Sequence, residues 1–526
     1  MRWGYVCLAG GLAASLPSPA AACGGFFCSS APVVQAREVV AYAYEDDGTL
    51  TMAVQIVYQG RDEDFAWILP LPVPPGTIAV GTDALFDALS LATEPQFDLR
   101  LGTEGTCAQT ECTFPSSGGG CGFGCAADAS PAGARDAAAL MADAGSVEIL
   151  SRGVVGPYDT VVLGAASAAD ILEWLGDNDY DIPAASAPLL EPYVAQGFVF
   201  IALRLNANRD SSVIRPIVLR MATDEACLPI RLTAIATTPS LPIALFFLAD
   251  RQAHSTNYAV ADVPVDPRLW LRTRTWDGAV RDRVAELGGR AFATDYAGPT
   301  PRVSIALPDV LDLARETDPA RFVGELRARG YPPDDLLLDL FERYIGPPGA
   351  QTARDYVNCL TLRGSTASCG APTRFDAERL ARAIEEEITA PRREADAMVA
   401  RHPYLTRLST SMRAEDMSLD PDFALDDGLP DVPQRRNARL IEQCSADYYP
   451  GRAPAVLEVG GVRYPARPGR TLSADAYCRE MGGTARASSS GGCTAARGRG
   501  APLMLVLAVG AFVAVRLTRR LRAPAR

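Results

Sequence analysis

From residue 38 the chain reads Glu-Val-Val-Ala-Tyr-Ala-Tyr, and after Asp46-Asp47-Gly48 it returns over 50–58 in the same β-branched and aromatic residues. Two such runs joined by an Asp-Gly turn predict a β-hairpin. Phe65-Ala-Trp-Ile-Leu69 predicts a third strand. Pro70, Pro72, Pro74 and Pro75 then force an extended exit, because proline has no N–H for a sheet ladder. A capped helix is expected over 83–92 and another over 168–175. Strands are expected near 147–154, 160–163, 198–205, 213–221, 228–236 and 243–248. From about Pro267 the apolar period becomes helical. Asp318-Pro319 supplies a cap and a first-turn proline, and 375–400 is charged and amphipathic, interrupted at Pro391. The pattern predicts an α+β chain: a β-rich lobe over 23–266, sandwich-like or a mixed sheet, followed by a mostly helical region over 267–480.

Residues 103–146 break the pattern with Gly118-Gly-Gly-Cys-Gly-Phe-Gly124 and an Ala/Asp run, which reads as a surface insertion. Both ends break it too. Arg2, an uncharged largely apolar stretch to Leu16 and Ala20-Ala21-Ala22 form a secretory signal over 1–22, with Cys23 as the mature start. Ordinary cleavage and lipidation of Cys23 are both open, although a lipoprotein signal usually has a bulky aliphatic residue where Ala20 stands. At the other end a Ser/Gly/Arg linker over 481–500 contains Cys493. An apolar segment over 501–517 and a basic tail over 518–526 follow. A bilayer core of about 30 Å asks for about 20 helical residues, so the segment is short for a span, but flanking arginines can snorkel. The arginines after it place the C-terminus in the cytoplasm, and a membrane span fits this context better than a buried core helix.

With 526 residues and 48% hydrophobic positions the chain can bury a substantial core. Every basic residue is arginine. The absence of lysine excludes a P-loop, a lysine Schiff base, a Ser-x-x-Lys nucleophile and a lysine isopeptide crosslink. Residues 23–493 carry 42 arginines against 63 acids, a net charge of −21, so nucleic acid is not an expected partner. Export favours disulfides among Cys23, Cys28, Cys107, Cys112, Cys121, Cys125, Cys359, Cys369, Cys444 and Cys478. Sequence proximity suggests 23 with 28, the four from 107 to 125 among themselves, 359 with 369 and 444 with 478. Cys227, in an apolar run, is then the spare, unless lipidation of Cys23 frees Cys28 to take it. The four from 107 to 125 are also zinc-capable in principle, but they lack paired Cys-x-x-Cys knuckles.

Gly492-Cys493, the short apolar span and the terminal arginines resemble the myxobacterial C-terminal sorting tail, in which a dedicated membrane protease cuts near the cysteine. That resemblance makes Cys493 the sorting and anchoring residue and implies a sorting protease as partner. Cys23-Gly-Gly-Phe-Phe-Cys28, Trp67-Ile-Leu-Pro-Leu-Pro72, Arg152-Gly-Val-Val-Gly-Pro-Tyr-Asp159 and the stretch 410–423 with its Asp-Pro-Asp resemble a family of uncharacterised exported bacterial proteins, a domain of unknown function, over about 23–450. It implies an address and no activity.

No His-Glu-x-x-His, Gly-x-Ser-x-Gly or nucleotide fingerprint is present, so neither catalytic nor cofactor-binding residues are assigned. Of the two histidines, His254 follows an apolar strand and is the better functional candidate; a loop histidine bonded to backbone is the plainer account of it. His402 shows no motif. Glu415, Asp416, Asp420, Asp422, Asp426, Asp427 and Asp431 crowd one stretch and offer weak calcium candidates, above all Asp420, Asp422, Asp426 and Asp427. Their spacing does not match an EF-hand, and a solvated acidic loop is the alternative. The sequence therefore reads as an exported, membrane-anchored surface protein that binds or supports structure without catalysis. The alternative is an exported hydrolase using Asp/Glu carboxylates.

Overall fold

The structure, a computed structural model, describes residues 37–55, 66–114, 147–178, 180, 186–205, 213–226, 228–237 and 239–485. The signal segment, Cys23, Cys28, Cys121, Cys125, Cys227, Cys493, the apolar segment 501–517 and the basic tail lie outside the described residues. Among the described residues no helix is long and apolar enough to cross a membrane.

The chain forms two compact units, and the larger holds most of it. Its main sheet has eight strands: β1 (Glu38–Tyr44), β2 (Leu50–Gln55), β3 (Pro75–Val80), β4 (Ile217–Met221), β5 (Leu241–Ala249), β6 (Ala259–Val260), β7 (Ala291–Pro299) and β8 (Tyr404–Met412). They lie in the order β6-β7-β8-β5-β1-β2-β4-β3. The expected hairpin is β1–β2, with Tyr44 opposite Leu50 and Val40 opposite Val54. Gly48 closes its turn at φ +75°, where a Cβ would be strained, and its N–H donates to the Glu45 carbonyl. β1 runs parallel to β5, whereas β8 is antiparallel to both β5 and β7.

The two faces of β1 explain its unbroken apolar sequence. Val40 and Tyr42 point into the main core with Leu50, Met52, Leu245 and Phe247. Val39, Ala41 and Ala43 point the other way, onto α1 (Asp83–Thr93) and the later helix carrying Met398 and Val399. A second, antiparallel sheet of four strands, 66–71, 199–205, 158–165 and 147–155, closes the main core with Trp67, Leu69, Ile201 and Leu203. Its outer face, with Ile68, Val161 and Phe200, packs on the helices Ala168–Asp177 and Ala187–Ala195. Two sheets are thus packed face to face and helices cover both outer sides, an α+β architecture.

Beyond residue 267 the larger unit mixes strands with helices. α2 (Trp276–Glu286) precedes β7, and α3 (Asp335–Tyr344) and α4 (Ala377–Ile384) belong to a helical cluster around Phe322, Leu340 and Tyr356. Asp318 caps the helix Pro319–Ala328 through the N–H of Ala320. β8 then returns to the main sheet, and 435–443, 455–459 and 462–467 form a further sheet beside 96–104.

Two expected elements differ. Residues 228–236 form a short helix (Ile230–Thr233) and a 3-10 turn, not a strand. The Asp420 carboxylate accepts from the N–H groups of Ile230 and Arg231, which stabilises a helix start that the apolar run does not advertise. The helix over 375–400 is not broken at Pro391. A π-turn (Glu385–Thr389) links α4 to α5 (Ala390–Arg401), and widening the turn relieves the clash that a proline ring makes with the carbonyl four residues before it.

In the smaller unit Cys107 bonds Cys444, Cys112 bonds Cys478 and Tyr449 stacks on Tyr477. This replaces the pairing of 444 with 478 and of 107 and 112 with their near neighbours. The reason is topological: strands 96–104 and 435–443 run parallel with Glu104 beside Gln443, and Cys107 and Cys444 follow those strand ends within three residues along the chain. In the larger unit Cys359 bonds Cys369 across 10 positions.

Candidate functional site

Two adjoining cavities form one cleft between the edge of the main sheet and α5. The polar half holds about 360 Å³, the more apolar half about 300 Å³, and Ala79, Val80, Pro391 and Glu394 line both. The helix contributes one stripe. Glu387, Ala390, Pro391 and Glu394 follow the three- and four-residue spacing of a helix face, and Met398 and Arg401 continue it. The π-turn inserts an extra residue, which brings Glu386 onto the same wall. On the sheet side Gly156 allows close approach. Its φ is +55°, and a Cβ there would stand 2.3 Å from Val80 Cγ2.

Arg215 is the centre of the polar half and is 5% exposed. The sequence places it in Val213-Ile-Arg-Pro-Ile-Val-Leu, where the backbone must be buried. Tyr158 holds that backbone: its hydroxyl donates to the Arg215 carbonyl at 2.7 Å and accepts from the Arg215 N–H at 2.6 Å. The guanidinium then reaches the helix. Pro391 has no N–H to give the Glu387 carbonyl in an α-turn, and Arg215 Nη2 donates to that oxygen instead. Arg215 Nη1 is also 3.6 Å from the Glu387 carboxylate. Arg343 on α3 approaches the same carboxylate at 3.2 Å and Asp339 at 2.9 Å, so Glu387 bridges two arginines. Burial pulls the Arg215 guanidinium below its usual range, and Glu387 opposes that shift. Burial also works against the charge of Arg343, but Glu387 and Asp339 hold it above its ordinary value.

Glu386 and Glu394 are exposed at the mouth and form no ion pair among the described residues. Leu85, Phe86, Val218 and Met398 line the other half, with Arg220 and Arg401 at its rim. Among the described residues no histidine, cysteine or serine lines either half. The cleft can bind an apolar body and pair its polar groups, and the Thr51 hydroxyl on its wall donates to the Glu45 carboxylate.

The residues singled out in the sequence lie elsewhere. His254 pairs opposite Ala424 in a two-stranded ladder, and its buried Nδ1 has no hydrogen-bond partner among the described residues. His402 is buried at the end of α5, its ring nitrogens 2.7 Å from the Met398 carbonyl and 3.1 Å from that of Tyr44. The acidic stretch is dispersed. Asp420 engages Tyr193 and Arg231, Asp422 bonds Asn257, Asp426 accepts from the Gly428 N–H and Asp431 accepts from Tyr404. Glu415 and Asp416 pair with Arg413. Among the described residues Asp420, Asp422, Asp426 and Asp427 do not bring three ligand atoms together. Sequence reasoning passed over Arg215 and Arg343. An arginine inside an apolar strand and a proline within a charged helix were the available signals.

No curated protein and no solved structure matches the chain. Residues 17–423 match a family model described as "Uncharacterized protein conserved in bacteria (DUF2330)". That match covers most of the chain, which belongs to this bacterial family.

Proposed function

We propose that the chain is an exported protein held at the cell envelope, and that its folded body binds a ligand in the α5 cleft without transforming it. The observation that supports binding is the lining, which joins guanidinium, carboxylate and hydroxyl groups to an apolar half. The three disulfides among the described residues support an oxidising compartment. The signal segment, Cys493 and the apolar segment over 501–517 support export and anchoring.

Titration of the full-length chain with 1-anilinonaphthalene-8-sulfonate, an aromatic anion of cleft size, should show one saturable fluorescent site. Ala397→Trp, at an exposed α5 position lining the apolar half, should abolish it without lowering the unfolding midpoint. Equal binding by that variant refutes the cleft. Glu386 and Glu394 in the polar half are the support for the hydrolase reading. Turnover of an ester or glycoside by the full chain, lost in Glu394→Gln, would establish that reading over binding alone. For the address, Cys493→Ala should leave export intact but alter processing or release the protein from the envelope fraction. Unchanged size and fractionation would leave the apolar segment as a plain membrane anchor.

A further inference from the structure

The charge of the α5 cleft is uneven once its ion pairs are followed. The arginines that line it are matched. Arg215 and Arg343 share the Glu387 carboxylate, and Arg343 also holds Asp339. At the rim of the apolar half Arg220 pairs with Asp47 and Arg401 with Glu45. Two carboxylates are left over: Glu386 and Glu394 are exposed and form no ion pair among the described residues.

Glu394 stands at the seam, because it lines both halves. On α5 it lies three residues after Pro391, three before Ala397 and four before Met398, so these side chains share one helix face, and all of them line the apolar half. The sheet wall also presents a single face. Val218 of β4 lies opposite Ala53 of β2 and Ala79 of β3, and Val218 and Ala53 point to the side of the sheet where Leu85, Phe86 and Met398 pack. An apolar recess of about 300 Å³ therefore has a carboxylate on its wall whose charge no guanidinium cancels.

An apolar body in that recess brings its polar end to the seam. A carboxylate there meets like charge, a hydroxyl gains no ion pair, and an ammonium gains one. A metal ion fits less well, since calcium takes about six to eight oxygens and the wall around Glu394 is largely hydrocarbon. We propose that the α5 cleft selects an organic ammonium ion, with its apolar body against Leu85, Phe86, Val218 and Met398 and its positive head at Glu394. Glu386 adds to the negative field at the mouth. This rests on the cleft binding a ligand at all, and adds the chemical class that it takes.

The test is calorimetric titration of the full-length chain at neutral pH with 2-phenylethylammonium, 2-phenylethanol and 3-phenylpropanoate, one phenylethyl body with a positive, a neutral and a negative head. The ammonium should bind at a single site about fivefold tighter than the alcohol, the upper end for an ion pair at an exposed carboxylate, and the propanoate should bind weakest. Glu394→Gln should remove the preference and leave the alcohol unchanged. Glu394→Arg should reverse the order and put the propanoate first, a result that a folding defect does not produce. Ala397→Trp should weaken all three. Equal affinities, tighter binding of the propanoate, no saturable binding of the ammonium, or a preference that survives Glu394→Gln each overturns the proposal. In those cases a saturable 1-anilinonaphthalene-8-sulfonate site lost in Ala397→Trp would leave the cleft standing as a binding site, because that dye enters by its aromatic body. Absence of the dye site as well would remove both.

Discussion

Replacing Glu38 with glutamine should make the protein about 4–5 kcal/mol more stable at pH 8 to 9 relative to wild type, with the advantage shrinking to nothing near pH 4.5. Glu38 opens β1 with its side chain buried, 4% exposed. Burial raises its carboxyl from 4.5 to about 8, the hydroxyl of Thr233 pulls modestly the other way, and nearby Asp420 raises it further. Between those two values the folded protein holds a proton that the unfolded chain has released. Stability therefore falls with rising pH, by about 1.4 kcal/mol for each unit, and the loss is complete once the pH passes the folded value. Below pH 4.5 both states are protonated and the full contribution is present. Glutamine keeps the shape and is neutral throughout, so the difference between the two proteins isolates this one group from the others that titrate in both. Urea midpoints from pH 4 to pH 9 measure it. Parallel curves for the two proteins would show that Glu38 is ionised in the native state.

The elements that the sequence announced were those whose information is local. The β1–β2 hairpin needs only two neighbouring runs of β-branched and aromatic residues and a Gly at positive φ. The Asp318 cap needs only its two neighbours. What stayed hidden depends on partners far along the chain. The helix at Ile230–Thr233 is held by Asp420, about 190 positions later, so its apolar run read as a strand. β8 mixes leucines with hydroxyls and an arginine, and the buried partners of Thr406, Ser409 and Arg407 come from other strands. The disulfides of the smaller unit join cysteines 337 and 366 positions apart, and no spacing rule predicts that without knowing which strands run side by side. The candidate site is the extreme case. Arg215 and Glu387 are 172 positions apart, and the reason they meet is a missing N–H at Pro391. The sequence shows that proline as a helix interruption, whereas the structure uses it to present a free carbonyl.

Removing the Arg215 guanidinium should therefore destabilise the protein by about 3 kcal/mol, the lower end of what breaking a buried ion pair costs. The lower end applies because Arg343 remains beside the Glu387 carboxylate, so that charge is not left alone. What is left alone is the Glu387 carbonyl, for which Pro391 supplies no α-helical donor, together with the volume the side chain vacates. Arg215→Met tests this with the least change in volume, because the methionine chain can fill part of the space. Arg215→Lys should recover part of the loss: an ammonium can reach either the carbonyl or the carboxylate but lacks the fork that engages both. Glu387→Gln keeps the carbonyl while weakening the ion pair, and in combination with Arg215→Met it separates the two contributions. If the carbonyl dominates, Arg215→Met is nearly as damaging in the Glu387→Gln background as in wild type. If the carboxylate dominates, most of the effect disappears. Guanidinium chloride midpoints of the four proteins provide the comparison, and a loss below about 1 kcal/mol for Arg215→Met would mean that water serves the Glu387 carbonyl as well as the arginine does.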